Sequence, residues 1–380
     1  MDPATQIELL DEILGLRELG SAYLDPEVTG SPVERYVNPQ IFATEQACLF
    51  RAQPQPIAHV SELAHPGDFL TRQLSGLPLL LTRDRDGQVH AFYNVCRHRG
   101  ARLVAEEAGC KHRFSCPYHA WTWDNAGTFI NAPHRAQGFP DLKREEQGLK
   151  PMTCVAGYGL IWIVPEAEAE LDLNAFLSGL APDLVALGLE THTVHASESQ
   201  TWACNWKIIV EGGLESYHFR VAHAKTIGAL FHDNLSTYRL FGPHIRSILA
   251  RTSIDELVSV PRADWRLREH ANVLYNLFPA TALLVQGDHV VWLTFEPLAA
   301  DQTHVRITTL RPAQEAPLSE KQQAYWDKNH ALTCRTLAED FELGEQIQAG
   351  LTTGVNDSLT FGKFEGALHA FNQIVDGQLR

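Results

Sequence analysis

Residues 96–121 read CRHRGARLVAEEAGCKHRFSCPYHAW, and the fold turns on the two ends of this stretch. Cys96-Arg97-His98 recurs in type as Cys116-Pro117-Tyr118-His119 after seventeen intervening residues, giving C-x-H and then C-x2-H. Two such loops facing one another can hold a [2Fe–2S] cluster. One iron would take both thiolates and the other both imidazoles, whose neutrality raises the potential of the centre. A zinc ion could take the same four atoms, although zinc fingers usually pair C-x2-4-C with H-x3-5-H rather than one Cys and one His per loop. Cys110 and His112 fall between the loops, outside the paired pattern, and read as ordinary loop residues.

Outward from this stretch the signals are short strands and turns. In GLPLLLTRDRDGQVHAFYNV (76–95) two apolar runs flank Asp86-Gly87, a hairpin signature. WTWDNAGTFI (121–130) is a second hairpin, turning at Asn125-Ala126-Gly127, and YGLIWIVP (158–165) reads as a buried closing strand. Residues 40–165 therefore form an expected all-β domain. Before it, Ile7, Leu10, Ile13 and Leu14 stand at helical spacing within 6–19, and an irregular arm continues to about Pro39. Residues 1–39 are expected to pack as an arm on the domain formed by 166–380. That domain should carry a helix near Leu173–Leu187 interrupted at Pro182, strands at 192–198, 272–287, 290–298 and 303–311, and a helix after Asn205-Trp206-Lys207. A long helix should run from Ser319 to about Ala349, with a Ser319/Gln322 capping box and Gly350 as its stop.

This second domain holds the other constellation. In NWKIIVEGGLESYHFRVAH (205–223), Glu215, His218 and His223 form E-x2-H-x4-H. Helical spacing places Glu211, Glu215 and His218 on one face. His223 lies five residues past His218, about 140° round an ideal helix, so both can reach one metal only if the helix ends or bulges between them. Gly212 and Gly213 already weaken that helix. Two His need one carboxylate to complete the facial triad of a non-haem Fe(II) oxygenase. The choice is Asp340, in LAEDFELGEQIQAG (337–350), since Glu339 should point about 100° away. A pair of core histidines and a solvent-facing Glu215 are the plainer readings of the same residues. His232, His244, His270 and His330 lack partners at ligand spacing and read as structural.

The chain has 380 residues and a net charge of -15. Length suggests two domains, or three. The acidity argues against nucleic acid as a partner and suits docking of a basic protein patch. No stretch reaches eighteen apolar residues, so no membrane span is expected. The seven scattered cysteines and an N-terminus without a leader pattern suggest a reduced, cytoplasmic protein.

Taken together, the two constellations resemble those of the α subunits of Rieske non-haem iron oxygenases, also called ring-hydroxylating oxygenases, over nearly the whole chain. The signature C-x-H-R-G…C-P-Y-H-x-W is met by CRHRG (96–100) and CPYHAW (116–121). N-W-K…E-x-Y-H-x4-H is met by NWK (205–207), ESYH (215–218) and His223, and a late E-D…Q-x-G by Glu339-Asp340 and Gln348-Ala349-Gly350. The resemblance implies an α+β protein, with an N-terminal all-β Rieske [2Fe-2S] domain and a helix-grip (START-like) catalytic domain built from an antiparallel sheet and a long C-terminal helix. It implies cluster ligands Cys96, His98, Cys116 and His119, and mononuclear iron ligands His218, His223 and Asp340. Glu215 becomes a bridging acid, bonded to His218 and to the cluster ligand His119 of a neighbouring subunit in a homotrimer. Many members carry Asn where this chain has Gly212, a departure that touches one hydrogen bond behind the ligands and not the ligand set.

The function so implied is that of a terminal oxygenase, a mono- or dioxygenase hydroxylating a small aromatic substrate with O2 at Fe(II). The same chemistry demethylates amines, quaternary ammonium compounds and aryl ethers. A non-catalytic iron–sulfur electron carrier is the alternative from another class. No flavin or nicotinamide fingerprint occurs, so NAD(P)H would act through a separate reductase, with or without a ferredoxin. Tyr275, Phe278, Trp292 and Trp326 are candidates for stacking on a ring or caging a cation, though each reads more simply as core.

Overall fold

The computed structural model describes residues 1–166 and 168–379. The chain divides into two compact units, Phe50–Phe176 and Met1–Leu49 joined with Leu177–Arg380. Both junctions lie later along the chain than the expected boundaries at 39/40 and 165/166. The helix Pro39–Glu45 belongs with the second unit because Glu45 is buried there, its carboxylate bonded to Lys207 Nζ at 2.6 Å and Trp206 Nε1 at 2.9 Å. Residues after Val164 stay with the first unit, where Phe176 packs edge-on against Trp162.

The first unit is a seven-stranded antiparallel sheet with a three-stranded sheet, Arg113–Ser115, Thr122–Asp124 and Phe129–Asn131, beside it. Both expected hairpins form, and by one device. Asp84 Oδ1 accepts from the N–H groups of Asp86 and Gln88, and Asp124 Oδ1 accepts from those of Ala126 and Thr128. Each turn ends on a glycine with positive φ, Gly87 at 81° and Gly127 at 79°, a conformation glycine adopts without cost. Side-chain alternation splits the core in two. Leu79 and Leu81 face one cluster with Ile161 and Ile163, while Leu80 faces the other with Phe92, Trp121, Trp123, Cys96 and Cys116. Leu160–Val164 is wholly buried, but it lies inside the sheet between Gln55–His59 and Pro151–Gly157 rather than closing it.

The second unit is built on a fully antiparallel sheet in the order 192–202, 302–312, 290–299, 281–285, 271–277, 244–251, 231–241. The expected single strand at 272–287 is two strands, Ala271–Leu277 and Thr281–Val285. Phe231–Phe241 and His244–Arg251 were not expected at all. HIRSILAR alternates too little to read as a strand, yet seven of its eight residues are buried, because Arg246 is neutralised by Asp183 at 2.7 Å. The expected helix near 173–187 breaks at Ser178-Gly179, both with positive φ, and Pro182 sits in the first turn of its second half, where its missing N–H costs nothing. The long helix Glu320–Leu351 starts with the expected Ser319/Gln322 capping box. It runs through Gly350, however, and Gly354 supplies the left-handed turn instead, at φ 69°. Among the described residues no helix is long and apolar enough to cross a membrane.

Candidate metal centres

The two Cys-His loops are copies of one turn. Cys96 N–H donates to Ala101 O at 2.8 Å and Gly100 N–H to Cys96 O at 3.0 Å. Cys116 N–H donates to Trp121 O at 2.8 Å and Ala120 N–H to Cys116 O at 2.9 Å. The fifth residue of each turn has positive φ, Gly100 at 76° and Ala120 at 55°. Both cysteines are buried, and His119 is exposed. The His98 and His119 rings meet at 4.8 Å, and Trp121 stacks flat on His98 at 4.8 Å.

These residues fit a two-iron centre. Burial, and then the neighbouring Cys116 thiol, push the Cys96 pKa up, a conflict that a cation bound to both sulfurs relieves. Burial, the neighbouring His119 and Arg99 hold His98 below its usual value, leaving it neutral and ready to ligate. His98 Nδ1 is buried with no hydrogen-bond partner. Among the described residues, no three of these four donors gather within 4.8 Å of one another, as ligands of one zinc would. Cys110 and His112 stay exposed.

In the second unit the helix Trp206–Gly213, capped by Asn205, ends at Leu214. Glu211, Glu215 and His218 consequently do not share a helical face. Glu211 points into a buried network with Tyr36 and Asn372, while Glu215 closes the following turn by accepting from Tyr217 N–H and His218 N–H. His218 and His223 cap the two ends of a single helical turn, Phe219–Ala222, and this break lets both rings face one point. There one donor atom each from His218, His223 and Asp340 lie within 4.8 Å of one another. His223 Nε2 is 3.0 Å and His218 Nε2 3.4 Å from Asp340 Oδ1.

The outer hydrogen bonds show why a cation suits this point. A carboxylate only accepts. His218 Nδ1 donates to Glu215 Oε1, and His223 Nδ1 donates to Glu339 Oε2 at 2.8 Å. In neutral rings both Nε2 lone pairs therefore face Asp340, three electron-rich atoms around one spot. Burial disfavours the imidazolium of His223, yet Asp340 and Glu339 still hold its pKa above the usual value. Glu339 is the residue that sequence reasoning set aside. Helix geometry does separate it from Asp340 by about 100°, but the two straddle one imidazole, one at each nitrogen. Thr226 Oγ1 also donates to Glu339 at 2.6 Å. Of the histidines read as structural, His330 does have partners: its Nε2 lies 3.6 Å from both Glu198 Oε1 and Cys334 Sγ, the latter one helical turn away.

A cavity of about 570 Å³ opens on His218, His223 and Asp340. Its aromatic lining is Phe219, Phe231, Phe295 and Phe341. Tyr275, Phe278, Trp292 and Trp326 do not line it, and the first three are core residues at 2–3% exposure. Gly212 does line it, and a Cβ there would meet nothing within 4 Å.

Comparison with known families settles the class. The family model for the ring hydroxylating alpha subunit (catalytic domain) matches residues 189–380, and that for the Rieske [2Fe-2S] domain matches 53–153. The chain belongs to the Rieske ring-hydroxylating α-subunit family. This α subunit is 33% identical over 234 residues to the glycine betaine monooxygenase oxygenase subunit of Pseudomonas aeruginosa (strain UCBPP-PA14), covering 59% of this chain and 54% of that one. It thus spans about half the length of the glycine betaine relatives it matches. To the toluate 1,2-dioxygenase subunit alpha of Pseudomonas putida it is 25% identical over 370 residues, 87% and 80% of the two chains. Its fold matches a quaternary ammonium Rieske monooxygenase, CntA, in complex with L-carnitine, with a TM-score of 0.79 at 23% identity over 93% of this chain and 97% of that one.

Proposed function

We propose that this α subunit is the terminal oxygenase of a multicomponent system, oxidising a small organic substrate with O2 and with electrons that a partner reductase draws from NAD(P)H. What supports this most is the convergence of His218, His223 and Asp340 in the lining of a partly open, mainly apolar cavity. With both groups bound, the [2Fe–2S] cluster supplies electrons singly and the mononuclear iron supplies O2 activation. Cys96, His98, Cys116 and His119 would hold the first, and His218, His223 and Asp340 the second. Glu215 and Glu339 hold the Nδ1 protons of His218 and His223, so that each Nε2 faces inward.

The relatives support both branches of the chemistry, a toluate 1,2-dioxygenase on one side and glycine betaine and carnitine monooxygenases on the other. An electron carrier would need only the first unit, which argues against that alternative. A homotrimer in which Glu215 bridges His218 to His119 of the neighbouring subunit completes the proposal.

Purified protein should hold about three irons and two acid-labile sulfides per chain. Asp340→Ala should lose the mononuclear iron and keep both sulfides, and full iron in that variant would move the ligand elsewhere. Glu215→Gln should keep both metals while slowing reoxidation of the reduced cluster with substrate and O2. Unchanged reoxidation would remove its bridging role. Product-coupled O2 uptake across a substrate panel with a surrogate reductase tests the activity itself, and a panel without such uptake counts against an oxygenase.

A further inference from the structure

Arg251 ends the strand His244–Arg251 and lines the cavity. Its Nε and Nη2 both donate to Asn272 Oδ1, at 3.0 and 2.5 Å. Among the described residues no carboxylate forms an ion pair with it, and burial draws its pKa down with only the charge of Asp288 opposing. Asp288 is itself committed to His289 Nδ1 at 2.7 Å and the Tyr325 hydroxyl at 2.5 Å. Glu269 also lines the cavity but is exposed.

A partly buried guanidinium held by one neutral acceptor has lost water without gaining a counter-charge. Its planar fork matches a carboxylate, and Asn272, whose Oδ1 is spent on Arg251, has an amide N–H pair left to donate. The path from here to the metal ligands runs along two phenyl rings. Phe231 pairs with Arg251 across the strands, its ring lies 5.2 Å from Phe219, and Phe219 lies 4.8 Å from His218.

We propose that the cavity takes an organic carboxylate, its anion seated by Arg251 and Asn272 and its apolar body lying along Phe231 and Phe219 toward His218, His223 and Asp340. Only the fate of the apolar end rests on the oxygenase reading; the anion site does not.

The test is calorimetric titration of the anaerobic, fully loaded protein with matched pairs: benzoate and benzamide, 4-methylbenzoate and its amide, glycine betaine and its amide. At least one carboxylate should bind saturably, with its amide at least about tenfold weaker. Arg251→Gln should weaken that carboxylate at least about tenfold, leave the amide unchanged, and be partly rescued by Arg251→Lys. Circular dichroism and metal content establish that the variants fold, and the comparison of acid with amide needs no variant. Absence of binding by every carboxylate, equal binding of acid and amide, or unchanged carboxylate affinity in Arg251→Gln each overturns the proposal. Binding sensitive to Arg251 without product-coupled O2 uptake would sink the oxygenase reading alone. Turnover of the amides as fast as of the acids would sink the anion site alone.

Discussion

Glu339 and Asp340 are consecutive, but they act on opposite nitrogens of His223. Asp340 faces the point where a metal would sit, while Glu339 keeps the proton on Nδ1 and makes Nε2 more basic. Burial alone would raise the Glu339 pKa, but its bonds to Thr226 and His223 hold it below the ordinary carboxylate value, so it stays charged. Glu339→Gln keeps an acceptor for Nδ1–H but removes that charge. Iron retention at the mononuclear site should fall about tenfold or more, read by dialysis against a chelator, with the absorbance of the cluster unchanged as an internal control. Unaltered retention would leave Glu339 a packing residue. The same arrangement shows a limit of reading one helix: angular spacing states where two side chains start, not that one imidazole can bond both.

At the scale of the element, the helix Trp206–Gly213 has two buried faces with different tasks. Lys207 and Glu211, one turn apart, enter the polar network, while Ile209, Val210, Gly212 and Gly213 line the cavity. Gly212 therefore trades helix stability for space in the cavity that His218, His223 and Asp340 line. Gly212→Ala should stabilise the protein by up to about 1 kcal/mol, since open space surrounds the new methyl. It should also narrow the cavity. A higher melting temperature with weaker binding of bulkier ligands is the expected pair of outcomes, and a lower melting temperature would show that the backbone here needs glycine. Elsewhere local signals carried elements well. The two Asx-Gly hairpins and the Ser319 capping box formed as read, whereas Gly350 failed as a stop because the tertiary environment lets the helix continue.

Across the whole second unit, Glu211 ties three distant parts of the chain. Its Oε1 accepts from Tyr36 of the N-terminal arm at 2.8 Å and from Asn372 of the last helix at 2.9 Å. Burial pushes its carboxyl up to about 7 from an ordinary 4.5. Between those values the folded chain keeps a proton that the unfolded chain has released, so stability falls as pH rises through this window. The loss is complete above about pH 7 and amounts to up to about 3 kcal/mol. Glu211→Gln keeps both hydrogen bonds without the charge. Urea denaturation should show a smaller loss of stability from pH 5 to 8 in the variant than in the parent, and greater stability than the parent at pH 8. Parallel profiles for the two proteins would locate the pH dependence elsewhere.

The sequence by itself determined the family and singled out both pairs of Cys and His, the two histidines of the second site and Asp340 as the proposed ligands, because each signal lies within a turn or two of chain, or in a signature of such turns. Only the tertiary structure decided that Glu339 backs His223, that Glu45 belongs to Lys207, that Tyr275, Phe278 and Trp292 fill the core, and that Arg251 faces a cavity without a counter-charge. These are meetings between residues far apart in the chain, and which groups meet depends on how strands order in a sheet and which helix face turns inward. The strand that ends in Arg251 shows the same thing. Its apolar residues alternate too little to mark a strand, and the partner across the fold, Asp183 for Arg246, lets a segment that carries an arginine be buried.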